Sequence, residues 1–321
     1  MRTLRVASAQ YPIECFRQWE AIEGKLASWV EQAANEGARL VVFPEYAALE
    51  LAGLVERRET ERRSPDRHQL GPLPVAGDRR AEDSLLWVTD AIQPIIPRYN
   101  SFMAMLSARY GVHILAGSVP VRQADGSLTN TAFFFAPAGL IGAQDKMVLT
   151  RWEREVWEMR GGDEVRVFDT DFGPVGIDIC YDVEFPVIAR RQAEANARII
   201  LAPCCCDSLR GYYRVRVGAR ARALENQGYV VQAAAIGNAN WLPAIERCAG
   251  FAGIYAPPDL GPRENGVIAQ GALDRPGWVY ADLDLTAIDR IRGSDVMANV
   301  REWNAHMQVG PAVRVGSRQV A

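Results

Sequence analysis

The sequence predicts one large α/β domain, and three observations carry that reading. Between residues 17 and 36, Trp19, Ile22, Leu26, Trp29, Val30 and Ala33 recur at steps of three and four, the period of a helix that buries one face. Leu40-Val41-Val42-Phe43 is continuously apolar, as a strand covered on both sides should be. Helix and strand patterns then alternate to about residue 283, with no linker that clearly divides the 321 residues.

In chain order, residues 5–10 read as a strand and 17–36 as a helix, with Gly37 as its stop. The 40–43 run ends at Pro44-Glu45. Residues 53–83, rich in Arg, Glu, Asp, Pro and Gly, read as a long surface excursion. A helix over about 84–110 is interrupted by Pro94 and Pro97. Strands are expected at 112–119, 130–137, 139–146, 165–168 and 175–180, then a helix at 187–197 and a strand at 198–202. A helix at about 212–227 leads into a strand from Tyr229, and further strands fit 249–255, 266–270 and 277–283. Gly37-Ala-Arg-Leu-Val-Val-Phe-Pro-Glu45 lines up with Asn196-Ala-Arg-Ile-Ile-Leu-Ala-Pro-Cys204, which suggests two related halves. The domain is drawn at 1–292, with 293–321 as a tail that packs on a partner subunit.

Composition narrows the class. With 49% hydrophobic and 23% charged residues, the chain is neither disordered nor a coiled coil. No run approaches the roughly 18 apolar residues of a membrane span. A net charge of −3 argues against nucleic acid or anionic lipid as a partner. The N-terminus enters a strand pattern at once, so no signal peptide is expected. Six cysteines without a secretion signal do not suggest disulfides, and the cytoplasm is the expected compartment. Three histidines leave little for a His-rich metal site.

Three reactive side chains stand at the ends of apolar strands: Glu45, Lys146 after Leu140–Asp145, and Cys180 after Val175–Ile179. Strand ends are where α/β folds aim functional groups. Each has a plainer reading alone. A Glu after a strand is commonly solvated, a lone Lys says less, and a Cys on a buried strand is commonly a small core hydrophobe.

Together they are more specific. Phe43-Pro-Glu45, the Asp-Lys-Met-Val-Leu context of Lys146, and Gly176-Ile-Asp-Ile-Cys180-Tyr-Asp-Val-Glu-Phe-Pro186 resemble the nitrilase superfamily, the carbon–nitrogen hydrolases. The resemblance implies a four-layer αββα sandwich with a pseudo-two-fold between halves. It implies Glu45, Lys146 and Cys180 as a catalytic triad, no cofactor and no metal. It also implies a homodimer or larger homo-oligomer.

The chemistry of the trio supports the same assignment. A thiol of pKa about 8.5 is mostly protonated at neutral pH, and Glu45 is the candidate to take its proton during attack. Attack on an amide makes an oxyanion that needs preorganised donors. Lys146 and the Tyr181 N–H are candidates for those donors. Glu45 would then protonate the leaving amine and activate water against the thioester.

The superfamily often carries a second carboxylate between Lys and Cys. Counting forward from Lys146 favours Glu153; counting back from Gly162-Asp163 favours Glu155; we choose Glu153. Asp182 and Glu184 are read as structural, with Glu184 held by an arginine of the 214–222 helix, such as Arg220 or Arg222. Cys204-Cys205-Cys206 invites a metal or redox reading, but adjacent strand residues alternate direction and the usual Cys-x₂₋₄-Cys spacing of zinc sites is absent. Tyr46, Trp152, Tyr181, Trp241 and Cys204 or Cys205 are expected around the substrate.

The expected function is an amidohydrolase acting on a small amide or N-carbamoyl compound. A nitrilase is the nearest alternative, although Tyr181 resembles the amidase branches, where nitrilases commonly carry Trp. A non-enzymatic binding member is the alternative of another class, and would be marked by a broken triad.

Overall fold

The computed structural model describes residues 3–55, 88–242, 245, 247–260, 264–294 and 298–306. The 53–83 excursion therefore lies mostly outside the described residues, as does the tail beyond 306. The elements are β1 (Thr3–Pro12), α1 (Trp19–Asn35), β2 (Leu40–Val42), α2 (Ile96–Tyr110), β3 (His113–Arg122), β4 (Leu128–Ala136) and β5 (Gly139–Asp145). They continue with α3 (Arg151–Glu155), β6 (Val167–Phe168), β7 (Val175–Ile177), α4 (Pro186–Glu194), β8 (Ile199–Cys204), α5 (Leu209–Glu225) and β9 (Tyr229–Asn238). Last come β10 (Arg247–Cys248), β11 (Gly253–Tyr255), β12 (Val267–Gln270), β13 (Gly277–Asp284), α6 (Leu285–Arg292) and α7 (Asn299–His306). Two 3₁₀ segments, Ala47–Leu54 and Cys180–Glu184, follow strand ends.

The strands form two half-sheets with one pairing scheme. In the first, β13 runs antiparallel to β1, β1–β2–β3 are parallel, and β4 and β5 return antiparallel. In the second, β11 runs antiparallel to β9, β9–β8–β7 are parallel, and β6 returns antiparallel. The halves join where the end of β1 pairs with β9, Gln10 opposite Ala234. The recurring sequence cassette thus falls on β2 and β8, equivalent central strands of the two halves.

Alternation along the strands builds the layers. Leu4, Val6, Leu40, Val42 and Leu115 face Ile177, Ile199 and Val230 of the other half-sheet and its helices. Their neighbours Ala7, Val41, Phe43 and Ile114 face Ile22, Leu26 and Val30 of α1 and Met103 and Leu106 of α2. The result is helix, sheet, sheet, helix.

The helix expected over 84–110 is interrupted at Pro94 but not at Pro97: residues 88–92 are helical, 93–95 form a turn, and α2 starts at Ile96 with Pro97 in its first turn, where a missing N–H costs nothing. Past residue 292 the described tail is helical. Arg190 of α4 lies over the Trp303 ring, and the Val300 N–H donates to Gln227 Oε1. Among the described residues no helix is long and apolar enough to cross a membrane.

Candidate active site

Glu45, Lys146, Glu153 and Cys180 converge at one end of the strands, each no more than 5% exposed. Glu45 leaves β2 through Phe43-Pro44. Gly117 of the neighbouring β3 allows this passage: at φ +75 it sits where a Cβ would lie 2.3 Å from the Pro44 carbonyl oxygen. Tyr46 and Cys180 both adopt positive φ, +61 and +51. For side chains of this kind such backbone costs roughly 1–3 kcal/mol and concentrates at functional sites.

Lys146 Nζ lies 2.8 Å from Glu45 Oε1 and 2.8 Å from both oxygens of Glu153. Glu153 reaches it because Thr150-Arg-Trp-Glu153 is a capping box. The Thr150 hydroxyl accepts from the Glu153 N–H, and the Glu153 carboxylate accepts from the Thr150 N–H at 2.8 Å. That motif, legible in sequence, distinguishes Glu153 from its rival. Glu155 is exposed and pairs with Arg151.

The two carboxylates differ in their donors. Glu153 accepts from Lys146, Asn130 (3.0 Å), the Tyr46 hydroxyl (2.5 Å), and the Thr150 N–H and hydroxyl (2.8 Å each). Glu45 accepts from Lys146, from Asn130 at 3.0 Å and from the Cys205 N–H at 3.0 Å. Burial pushes Glu45 above the usual carboxylate range, against the pull of Lys146. Burial also opposes ionisation of Glu153, but Lys146 and the denser donor set hold it below that range. Lys146 is desolvated too, yet its carboxylates keep it well above the usual ammonium value.

The Cys180 thiol faces the Cys205 carbonyl at 3.9 Å. A hydrogen bond with Cys206 lowers its pKa, but burial and the Glu45 charge outweigh it and push the thiol to about 11. Asp182 locks the Cys180 turn to the Lys146 segment. Its carboxylate accepts the N–H groups of Val148 (2.7 Å), Met147 (3.1 Å) and Ile179 (3.1 Å). Among the described residues no group of three or more His, Cys, Asp or Glu side chains is placed to hold a metal.

Some expected positions differ. Of Cys204 and Cys205, both expected at the pocket wall, Cys204 turns its thiol to the Ala233 carbonyl and the Gln232 amide between the sheets, while Cys205 meets the site through its main chain, its N–H on Glu45 Oε2 and its carbonyl facing the Cys180 thiol. Glu184 pairs with Arg214, an arginine of the helix expected to hold it, though not Arg220 or Arg222, the two singled out there. Arg222 donates instead to the Val183 carbonyl, and Arg220 to that of Asn265. Tyr46 holds Glu153 and packs on Trp157; Tyr181 packs on Phe185; Trp152 and Trp241 are half-buried against the α1 and α2 layer.

Asn130 went unnoticed in the sequence. Its signal was Thr129-Asn130-Thr131, a polar triplet opening the otherwise apolar strand that runs to Phe135, and all three residues are buried.

The family model for carbon-nitrogen hydrolases matches residues 5–292. Probable hydrolase YhcX of Bacillus subtilis is 31% identical over 299 residues, 93% of this chain but only 53% of that protein. The chain thus spans about half of YhcX. A deaminated glutathione amidase of Yersinia enterocolitica is 29% identical over 216 residues, 63% of this chain and 64% of that one. The crystal structure of Nit3 from Saccharomyces cerevisiae, a nitrilase-superfamily member, superposes with a TM-score of 0.69 at 22% identity, covering 92% of this chain and 95% of that one.

Proposed function

From its membership of the carbon–nitrogen hydrolase family, we propose that this chain is a hydrolase of non-peptide C–N bonds that cleaves a small amide or N-carbamoyl compound through a thioester on Cys180. The observation that carries the reading is the meeting of Cys180 with two carboxylates around Lys146 that differ in their donors, Glu153 accepting from Lys146, Asn130, Tyr46 and the Thr150 N–H and hydroxyl, Glu45 from Lys146, Asn130 and the Cys205 N–H only.

Against the hydrogen bond with Cys206, burial and the Glu45 charge push the Cys180 thiol up, which favours the protonated thiol as the resting form. Glu45 takes the proton as sulfur attacks the carbonyl carbon. The oxyanion draws on Lys146 and on the Tyr181 N–H, one of the donors that the start of a 3₁₀ turn leaves without an internal partner. Glu45 passes its proton to the leaving nitrogen, the C–N bond breaks, and the same carboxylate activates the water that opens the thioester. Glu153 stays ionised and anchors Lys146.

Relatives described as an omega-amidase (Bos taurus, 27% identical) and a deaminated glutathione amidase favour amides over nitriles. The test is ammonia release over amides, N-carbamoyl amino acids and nitriles, with hydroxylamine added to trap the thioester as a hydroxamate. Cys180→Ala should abolish turnover and leave the unfolding midpoint nearly unchanged, since a small buried thiol loses little packing as Ala. Nitriles turned over with higher kcat/KM than every amide and carbamoyl compound would refute the amide reading. Substantial turnover by Cys180→Ala would refute the nucleophile.

A further inference from the structure

The thiols of Cys205 and Cys248 lie 3.4 Å apart. Residue 205 follows β8 and residue 248 ends β10, and the two segments are tied by the Ala249 N–H donating to the Cys206 carbonyl at 2.8 Å. Cys248 is buried, while Cys205 is only half-buried, so a small reagent reaches Cys205 first. The Cys205 main chain touches the reactive groups twice, through its N–H on Glu45 Oε2 and its carbonyl facing the Cys180 thiol. One residue thus carries a dithiol partner on its side chain and site contacts on its backbone.

We propose that Cys205 and Cys248 form a redox-modification site, oxidised by a hydroperoxide to a disulfide that reversibly lowers turnover by displacing the Cys205 backbone from Glu45 and Cys180. The Cys205 sulfur attacks the peroxide, the O–O bond breaks, and a sulfenic acid forms while the released alcohol or water carries off the thiol proton. The Cys248 sulfur then attacks the sulfenic sulfur. The S–O bond breaks, the S–S bond forms, and the hydroxyl leaves as water with the second proton. The two sulfurs give up two electrons and the peroxide accepts them. A disulfide holds its sulfurs about 2.05 Å apart, so the pair closes by more than an ångström, and misplacement on that scale at a reacting centre costs on the order of 10²-fold. The hydrogen bond with Cys248, together with burial, pushes the Cys205 thiol up, so oxidation should be slow at neutral pH and quicken as pH rises.

The site itself does not depend on the catalytic reading, but its effect on turnover does, and the test separates them. First, full-length Cys180→Ala protein is treated with stoichiometric hydrogen peroxide and mapped by peptide mass spectrometry. A Cys205–Cys248 crosslink two hydrogens lighter, undone by dithiothreitol, is expected; its absence overturns the site. Second, the unsubstituted protein and Cys248→Ala receive the same treatment. The former should lose about tenfold or more in kcat and regain it with dithiothreitol, while Cys248→Ala keeps its turnover. Equal loss in both proteins assigns the effect to Cys180 and overturns the coupling, as does a crosslink that leaves kcat unchanged.

Discussion

Lys146→Met removes the cation shared by two buried carboxylates and leaves a side chain of similar length. The ammonium makes three contacts at 2.8 Å, all to groups no more than 3% exposed. Breaking a buried ion pair from one side costs about 3–5 kcal/mol, because the remaining charge is stranded. Asn130, Tyr46 and Thr150 still donate to these carboxylates, which places the expected cost near the lower end, about 3 kcal/mol. The pH dependence follows by sign. Lys146 is held above its ordinary value in the fold, so its contribution is fully present below about pH 10 and does not vary between pH 5 and 8. Without it, burial pushes both glutamates up. An acid raised in the fold contributes stability that is present below its unfolded pKa and lost as pH rises through the raised value. The deficit of the variant should therefore be largest at pH 8 and shrink by about 1 kcal/mol or more toward pH 5, as one pKa unit is worth about 1.4 kcal/mol. Urea unfolding followed by tryptophan fluorescence at pH 5, 6, 7 and 8 reads this directly. A deficit under about 1 kcal/mol at pH 8, or one that does not change with pH, refutes the shared-cation account.

Two further outcomes are expected. Asn130→Ala deprives both carboxylates of a donor, so Glu45 rises further and the acid limb of the kcat/KM profile moves to higher pH; loss of activity with an unmoved profile would reduce Asn130 to packing. Asp178 is fully buried, and burial with the neighbouring Asp182 charge pushes it to about 8. Its folded pKa lies above its unfolded value, so its contribution falls as pH rises from about 4 toward 8. Asp178→Asn should raise the thermal midpoint most near pH 8 and least near pH 5, and an equal shift at both pH values would contradict the assignment.

Much of the fold was legible because its strands are buried on two faces. Leu40-Val41-Val42-Phe43 divides its residues between the inter-sheet layer and the layer under α1 and α2, so every position is apolar and the run announces itself. The α1 stripe was equally plain, since one face meets the sheet and the other meets water. Boundaries were less so. The strand expected at 249–255 is ordered only over Gly253–Tyr255, because Gly250, at φ +153 against the Tyr212 ring, turns the chain just before it. Glu184 was assigned to an arginine of α5, and Arg214 holds it, but sequence spacing cannot say which turn of α5 crosses the Cys180 turn; Gly218 sets that crossing, with room for the Val183 carbonyl only where a Cβ is absent.

Glu45 as the base and Glu153 as the second carboxylate were legible through the family resemblance, but the sequence held no physical reason for that division. Glu45 and Glu153 are both buried glutamates touching one lysine, and residue type alone does not separate them. What separates them is the number of hydrogen-bond donors, and most of those come from elsewhere in the chain. Glu153 collects Tyr46, Asn130, the Thr150 hydroxyl and the Thr150 N–H besides Lys146, and each favours its anion. Glu45 has Asn130 and one backbone N–H from Cys205, 160 positions away, and burial prevails. Two like groups in one cluster are thereby driven apart in proton affinity, the condition for assigning one to proton transfer and the other to fixed charge. The cluster carries a formal charge of −1 with Lys146 protonated, so a proton arriving from Cys180 has one acceptor whose surroundings favour taking it. In the proposed reaction Glu45 would hold that proton through attack and release it to the departing nitrogen, while Glu153 would keep Lys146 in place for the oxyanion.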